Sequence, residues 1–106
     1  MKKINDSNFD MEISKSALPV IVDFYADWCA PCKAMAPLIE KVAEDYDGRV
    51  NVFKVNVDDS SEIAARFNVM SIPTFVFFDR NKNVTKQVTG SVSSDVIIRY
   101  ANDIVV

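Results

Sequence analysis

The stretch DWCAPCKAM, Asp27 to Met35, holds both cysteines of the chain, Cys29 and Cys32, and no histidine occurs anywhere. Two thiols at this spacing can serve three chemistries. A closed structural zinc site wants four Cys or His ligands, so these two could complete one only between chains or with carboxylates. A structural disulfide would close so short a loop that it removes little unfolded-state entropy, about 2 kcal/mol by loop closure and less after strain. A redox dithiol uses the spacing itself, because the second thiol stands ready to attack the mixed disulfide formed by the first. The elements around the pair favour the third reading.

Those elements can be read in order along the chain. Ile4 belongs to a short first strand, and DSNFDMEISKS follows as a helix, with Asp6 or Ser7 as its cap and Phe9, Ile13 and Ala17 about a turn apart. PVIVDFYA is an apolar run rich in β-branched and aromatic residues, the pattern of a strand buried on both faces. From Pro31 onward Met35, Leu38, Ile39, Val42, Ala43 and Tyr46 recur at helical spacing; Pro37 should kink this helix and Gly48 should end it. VNVFKVNV is a second strand, which makes a βαβ unit with a right-handed crossover. DDSSEIAARF predicts a short helix with Asp59 and Glu62 at capping-box spacing. TFVFFD and VTKQVTG flank the polar RNKN as a hairpin, in which Asn81 or Asn83 takes any left-handed position. SSDVIIRYANDIVV closes the chain as an amphipathic helix. The expected architecture is α/β, a mixed sheet covered by helices on both faces, in one domain over residues 1–106.

This arrangement puts Cys29 just past the end of the central strand and Cys32 in the first turn of the next helix. Unpaired backbone N–H groups and the positive end of the helix dipole stabilise a thiolate there, the nucleophilic form of cysteine. Pro31 suits a helix start, where its missing N–H costs nothing. Asp23 lies in the middle of the apolar strand; an ionised carboxylate loses solvation in such a place and its pKa rises.

Composition bounds the function. The chain has 106 residues, 49% of them hydrophobic, which suits one compact core. Its formal net charge is −3, with lysines and arginines scattered among acids, so a phosphate backbone has no footprint and nucleic acid is not an expected partner. MKKINDSNFD has no apolar run behind its basic residues and reads as neither signal nor transit sequence. No segment approaches the length of a membrane span. A cytoplasmic monomer without membrane attachment is the expectation.

VDFYADWCAPCKAMAP, with VNVD and MSIPT downstream, resembles the thioredoxin family, and the resemblance runs over essentially the whole chain. It implies the thioredoxin fold and a general protein disulfide reductase in which Cys29 is the more exposed, nucleophilic thiol and Cys32 the more buried, resolving one. It further implies that Asp23 accepts the proton of the resolving thiol, that Lys54 lies near this acid and tunes its charge, and that Pro73 is a cis-proline beside the cysteines. Trp28, packed beside the thiols and shielding them, would form an apolar docking surface with Ala30, Pro31, Ile72, Pro73 and Gly90. Met70 is expected in packing and Pro37 has no chemistry. No cofactor is bound in such a protein; a flavoprotein, thioredoxin reductase, recharges the Cys29–Cys32 pair from NADPH, and the substrates are disulfide-containing proteins.

Two departures bear on this. Ala30 gives CAPC where the commonest motif is CGPC, which adds a methyl to the docking surface and stiffens the loop without adding charge. Tyr25 stands where many bacterial relatives carry tryptophan, a change expected to matter little. Other functions remain open: an oxidant or isomerase of the same fold, disfavoured because isomerases usually carry histidine where Pro31 stands; a non-catalytic module, which would keep its partner after loss of both cysteines; and an inter-chain metal site.

Overall fold

The computed structural model describes residues 1–105, so Val106, the last residue of the expected closing helix, lies outside the described residues. Among the described residues five strands and four helices follow in the order β1 (Lys2–Ile4), α1 (Phe9–Lys15), β2 (Val20–Tyr25), α2 (Ala30–Asp45), β3 (Asn51–Asn56), α3 (Ser61–Arg66), β4 (Thr74–Phe78), β5 (Val84–Thr89) and α4 (Ser94–Ile104). The strands form one sheet in the order β1-β3-β2-β4-β5. β3 pairs in parallel with β1 and β2, while β4 is antiparallel to both β2 and β5. The sheet is mixed, as expected, and β2 is its central strand.

Alternation along the strands sorts side chains into two cores. Val20, Val22 and Phe24 of β2 join Ile4, Phe53, Val55, Val76 and Phe78 against Phe9 and Ile13 of α1 and Ile63 of α3. Ile21, Val52, Phe75 and Phe77 point the other way, onto Met35, Ile39 and Val42 of α2 and Ile97, Ala101 and Ile104 of α4. Two helices therefore cover each face. Asp23 shares the parity of Ile21 and so points toward the α2 side. The apolar stripe of α2 is spaced one turn apart, which fixes the face it buries. α2 runs through Pro37 to Asp45, and Gly48, at φ +80°, turns the chain toward β3.

Three local expectations are corrected. Neither Asp6 nor Ser7 caps α1; Asn8 precedes it, with its side chain accepting from the Asn5 N–H. Asp6 instead reaches across to α3, where its carboxylate accepts the N–H groups of Glu62 at 3.3 Å and Ile63 at 2.9 Å. The Asp59/Glu62 capping box is consequently not formed: Ser60 is the cap residue, and Asp59 is taken up by the Ser60 hydroxyl and an ion pair with Lys3. In the β4–β5 hairpin the left-handed residue is Lys82, at φ +67°, not an asparagine. The Asp79 carboxylate accepts from the N–H groups of both Asn81 and Asn83, and the Lys82 ammonium donates to the carbonyls of Leu18 and Arg80. These bonds hold lysine where glycine would ordinarily sit.

Candidate active site

Beyond Tyr25 the chain leaves the sheet and enters α2 through Cys29, whose backbone is extended (φ −84°, ψ 107°) and whose sulfur accepts the Cys32 N–H at 3.2 Å. Cys29 thus does the work of a helix cap, with sulfur in place of the usual side-chain oxygen. The two cysteines are joined as a disulfide, so the chain is in its oxidised form. Pro31 lies in the first helical turn, where no hydrogen bond is lost. The Cys29 sulfur also lies 3.8 Å from the Ile72 carbonyl oxygen. In the disulfide it has no proton to donate, and this is a packing contact. It brings the segment before Pro73 against the cysteines, and the Ile72–Pro73 bond is cis, as expected.

The two sulfur-bearing residues open on different surroundings. Cys29 borders a groove of about 470 Å³ whose other walls are Trp28, Ala30, Pro31, Val57, Val69, Met70, Ser71 and Ile72. Cys32 borders a second cavity of about 310 Å³, walled by Asp23, Tyr25, Ala26, Asp27, Lys33, Ala36 and Lys54. The first is mostly apolar, and the second carries five ionisable groups. The expected order of exposure is not found: Cys29 is only 3% exposed and Cys32 is half-buried. The Cys29 sulfur lies against the Ile72 carbonyl, whereas Cys32, one turn into the helix, borders the polar cavity. What separates the two cysteines in this oxidised form is the cavity each faces, not the exposure of each.

Asp23 is 7% exposed. Burial pushes its carboxyl up from the ordinary 3.8 to about 6, and the charge of Lys54 pulls the other way. Asp23 and Lys54 are register partners across β2 and β3, so the lysine is near the acid as expected. Its ammonium lies over the Tyr25 ring, 4.4 Å from the centroid. Tyr25 fixes where this positive charge stands, a role that a tryptophan ring would fill as well. Its own hydroxyl is raised above the ordinary tyrosine range, chiefly by burial.

The expected docking surface is only partly assembled. Trp28, Ala30, Pro31 and Ile72 line the groove, while Pro73 is buried beneath it and Gly90 is joined to Pro73 by an N–H to carbonyl bond of 2.8 Å. Trp28 borders the groove with Cys29, is 70% exposed, and its indole N–H donates to the Asp58 carboxylate at 2.9 Å. Met70, expected in packing, is 85% exposed at the groove. A lone large side chain left in water is common, but two bordering one reactive disulfide form a patch.

Sequence reasoning missed Asp58 and Met70, although signals for both were present. β2 and β3 are parallel and Tyr25 pairs with Asn56, so residues just past the two strand ends, Trp28 and Asp58, emerge side by side. Met70 stands three residues before Pro73, and a proline placed beside the cysteines carries its preceding loop with it. Among the described residues no cluster of three or more His, Cys, Asp or Glu side chains is arranged to hold a metal.

Comparison with known proteins agrees with this geometry. A family model described as Thioredoxin matches residues 1–103. The chain is 48% identical over 86 residues to a thioredoxin of Staphylococcus saprophyticus, covering 81% of each chain. It is 36% identical over 100 residues to a thioredoxin of Rickettsia bellii, covering 94% of each. It is also 39% identical over 103 residues to a chloroplastic M-type thioredoxin of Spinacia oleracea, which spans 94% of this chain but 57% of that protein.

Proposed function

The chain belongs to the thioredoxin family, a family of protein-disulfide oxidoreductases that work through a redox-active disulfide, and we propose that it is a general reductant of protein disulfides. The observation that carries this reading is the partition of the Cys29–Cys32 pair between an apolar groove and a polar cavity holding Asp23.

In the reduced protein the Cys29 thiolate attacks one sulfur of a substrate disulfide lying in the groove. A Cys29–substrate disulfide forms, the substrate S–S bond breaks, and the first substrate thiolate leaves. Cys32 then gives up its proton and attacks the Cys29 sulfur; the mixed disulfide breaks, the second substrate thiolate leaves, and the Cys29–Cys32 disulfide remains. Two electrons have passed to the substrate. Asp23 is the proton acceptor for Cys32: both border one cavity, and a carboxyl with a pKa of about 6 is a better base near neutral pH than an ordinary aspartate. Lys54 tunes that acid through its field. The α2 N-terminus, with the Cys32 N–H directed at the Cys29 sulfur, favours the thiolate as the attacking form. Trp28, Ala30, Pro31 and Ile72 receive the extended substrate.

Return to the dithiol needs two electrons from outside the chain, and in this reading a flavoprotein thioredoxin reductase supplies them from NADPH. The reductant role calls for a reducing compartment, and we assign the chain to the cytoplasm as a monomer with a part in redox homeostasis. Among the described residues no helix is long and apolar enough to cross a membrane.

The test is the equilibrium potential of the Cys29–Cys32 pair in a defined dithiothreitol or glutathione buffer, followed by Trp28 fluorescence. A value near about −270 mV, the figure characteristic of thioredoxin, is expected. A value toward roughly −180 to −120 mV, where isomerases and oxidants work, would overturn the reductant reading.

A further inference from the structure

A proton that Asp23 takes from Cys32 has to reach solvent before the acid can serve again, and Asp23 is 7% exposed. Its way out is the cavity it shares with Cys32, about 310 Å³, which at roughly 30 Å³ per molecule has room for several waters. The ionisable groups in that wall besides Asp23 and Cys32 are Tyr25 at the end of β2, Asp27 just past it, Lys33 of α2 and Lys54 of β3. The two lysines carry ammonium groups, which have no lone pair to accept a proton and repel one that approaches. The Tyr25 hydroxyl, pushed above the ordinary tyrosine range chiefly by burial, keeps its proton at neutral pH. With Cys32 held in the disulfide, Asp27 is the one group left in the wall that can take a proton from Asp23. It is exposed and so meets bulk solvent directly. It is also free: Asp58 is held by the Trp28 indole and Asp59 by Lys3 and Ser60, whereas Asp27 enters no ion pair among the described residues.

We propose that Asp27 is a proton-relay residue at the mouth of the resolving cavity, carrying protons between Asp23 and solvent through cavity water. Its place in turnover rests on the reductant reading above, in which Asp23 serves Cys32. The Asp23 carboxyl passes its proton to a cavity water, that water passes one to the Asp27 carboxylate, and Asp27 releases it to bulk solvent. One proton leaves Asp23 and one enters solvent, and Asp27 and the water end as they began. A relay speeds this exchange in both directions and leaves the equilibrium where it was. Burial and the Lys54 charge set where Asp23 titrates, so loss of Asp27 should slow its protonation and deprotonation alike while the titration stays at about 6.

The experiment uses the oxidised protein, so it needs no substrate. A light-triggered release of protons in weakly buffered solution, started just above the Asp23 titration, is followed by time-resolved infrared absorption of the protonated carboxyl, and Asp23→Asn identifies the band. Asp27→Asn should slow the appearance of the band several-fold, and Asp27→Glu should keep it close to wild type. Added imidazole should restore the rate of Asp27→Asn, because a mobile buffer then carries the proton that the fixed carboxylate no longer does. The midpoint of the Asp23 equilibrium titration should be the same in all three proteins. An unchanged rate in Asp27→Asn, or a slowing that imidazole does not relieve, would overturn the relay. So would a slowing matched by a shifted midpoint, which is what a purely electrostatic influence of Asp27 on Asp23 would produce. Reduction of a protein disulfide by wild type checks the reductant reading separately, and its failure would leave the infrared result standing.

Discussion

Asp23 and Lys54 face each other as partners on adjacent parallel strands, yet the lysine ammonium rests on the Tyr25 ring and reaches the carboxylate through its field alone. Burial consequently dominates the acid, and the lysine moderates it. An acid-base group is thus assembled from a strand position, a cross-strand neighbour and an aromatic rest, and each can be altered singly.

The raised pKa of Asp23 makes stability depend on pH. Between about 4 and about 6 the folded protein keeps a proton that the unfolded chain has released, so stability falls as pH rises through this window. Above it, ionised Asp23 costs the fold on the order of 3 kcal/mol. Asp23→Asn should therefore be more stable than wild type at about pH 8 and nearly equal to it at about pH 3. Urea unfolding of both oxidised proteins at the two pH values checks this, and slower turnover of the variant would accompany the stability gain if Asp23 serves Cys32.

Removing the positive charge of Lys54 takes away the only nearby charge that lowers the Asp23 pKa. Lys54→Met should move the carboxyl titration further up from about 6, and the alkaline shift should appear alike in the Asp23 carboxyl resonance and in the pH profile of turnover. Tyr25→Leu frees the ammonium from its rest, which the same resonance would register as a smaller change.

Asp6 caps a helix 56 positions away in sequence. Asp6→Ala should cost about 1 kcal/mol, the ordinary worth of a lost cap, and Asp59→Ala, which frees the exposed Lys3 but also takes the acceptor from the buried Ser60 hydroxyl, should cost at least as much. Denaturant midpoints of the two variants rank them.

Asp58 holds the Trp28 indole. In Asp58→Ala the indole N–H should exchange with solvent faster and the tryptophan fluorescence should depolarise more, because the ring gains rotamer freedom. KM for protein disulfides should rise several-fold while the reduction potential stays where it was.

The βαβ unit, the hairpin and the closing helix were legible because hydrophobic period and chain punctuation are local properties: the apolar run through Val22 and Phe24, or the turn-spaced Met35, Ile39 and Val42, declares itself within a few residues. The positions of Cys29 and Cys32 followed from those boundaries. What was misread depends on long-range geometry. Asp6 looked like a cap for the helix beside it because its true partner, α3, is distant in sequence and adjacent only after β1 pairs with β3. Met70 looked like packing because a loop residue's side-chain direction is set by the turn at Asn68, which no periodicity reports. Lys82 took the left-handed position because Asp79 and Leu18 supply bonds that outweigh the preference for asparagine. The exposure order of the two cysteines followed from the resemblance, and it is not found in the disulfide, where Cys29 is 3% exposed with its sulfur against the Ile72 carbonyl.

The strand order leaves β1 and β5 as the two rims of the sheet. β1 is three residues long and carries Lys2 and Lys3; β5 carries Lys86 and slips register opposite Phe77 and Phe78, bending its ladder at Thr85. Short length, lysine and a bulge are the features that keep a rim from accepting another strand. A protein whose guests arrive as extended, partly unfolded polypeptides is exposed to the hazard of templating them into its own sheet. Lysines, the shortness of β1 and the slip in β5 make both rims poor templates for another strand, so an extended polypeptide near the groove beside Cys29 is not drawn into the sheet.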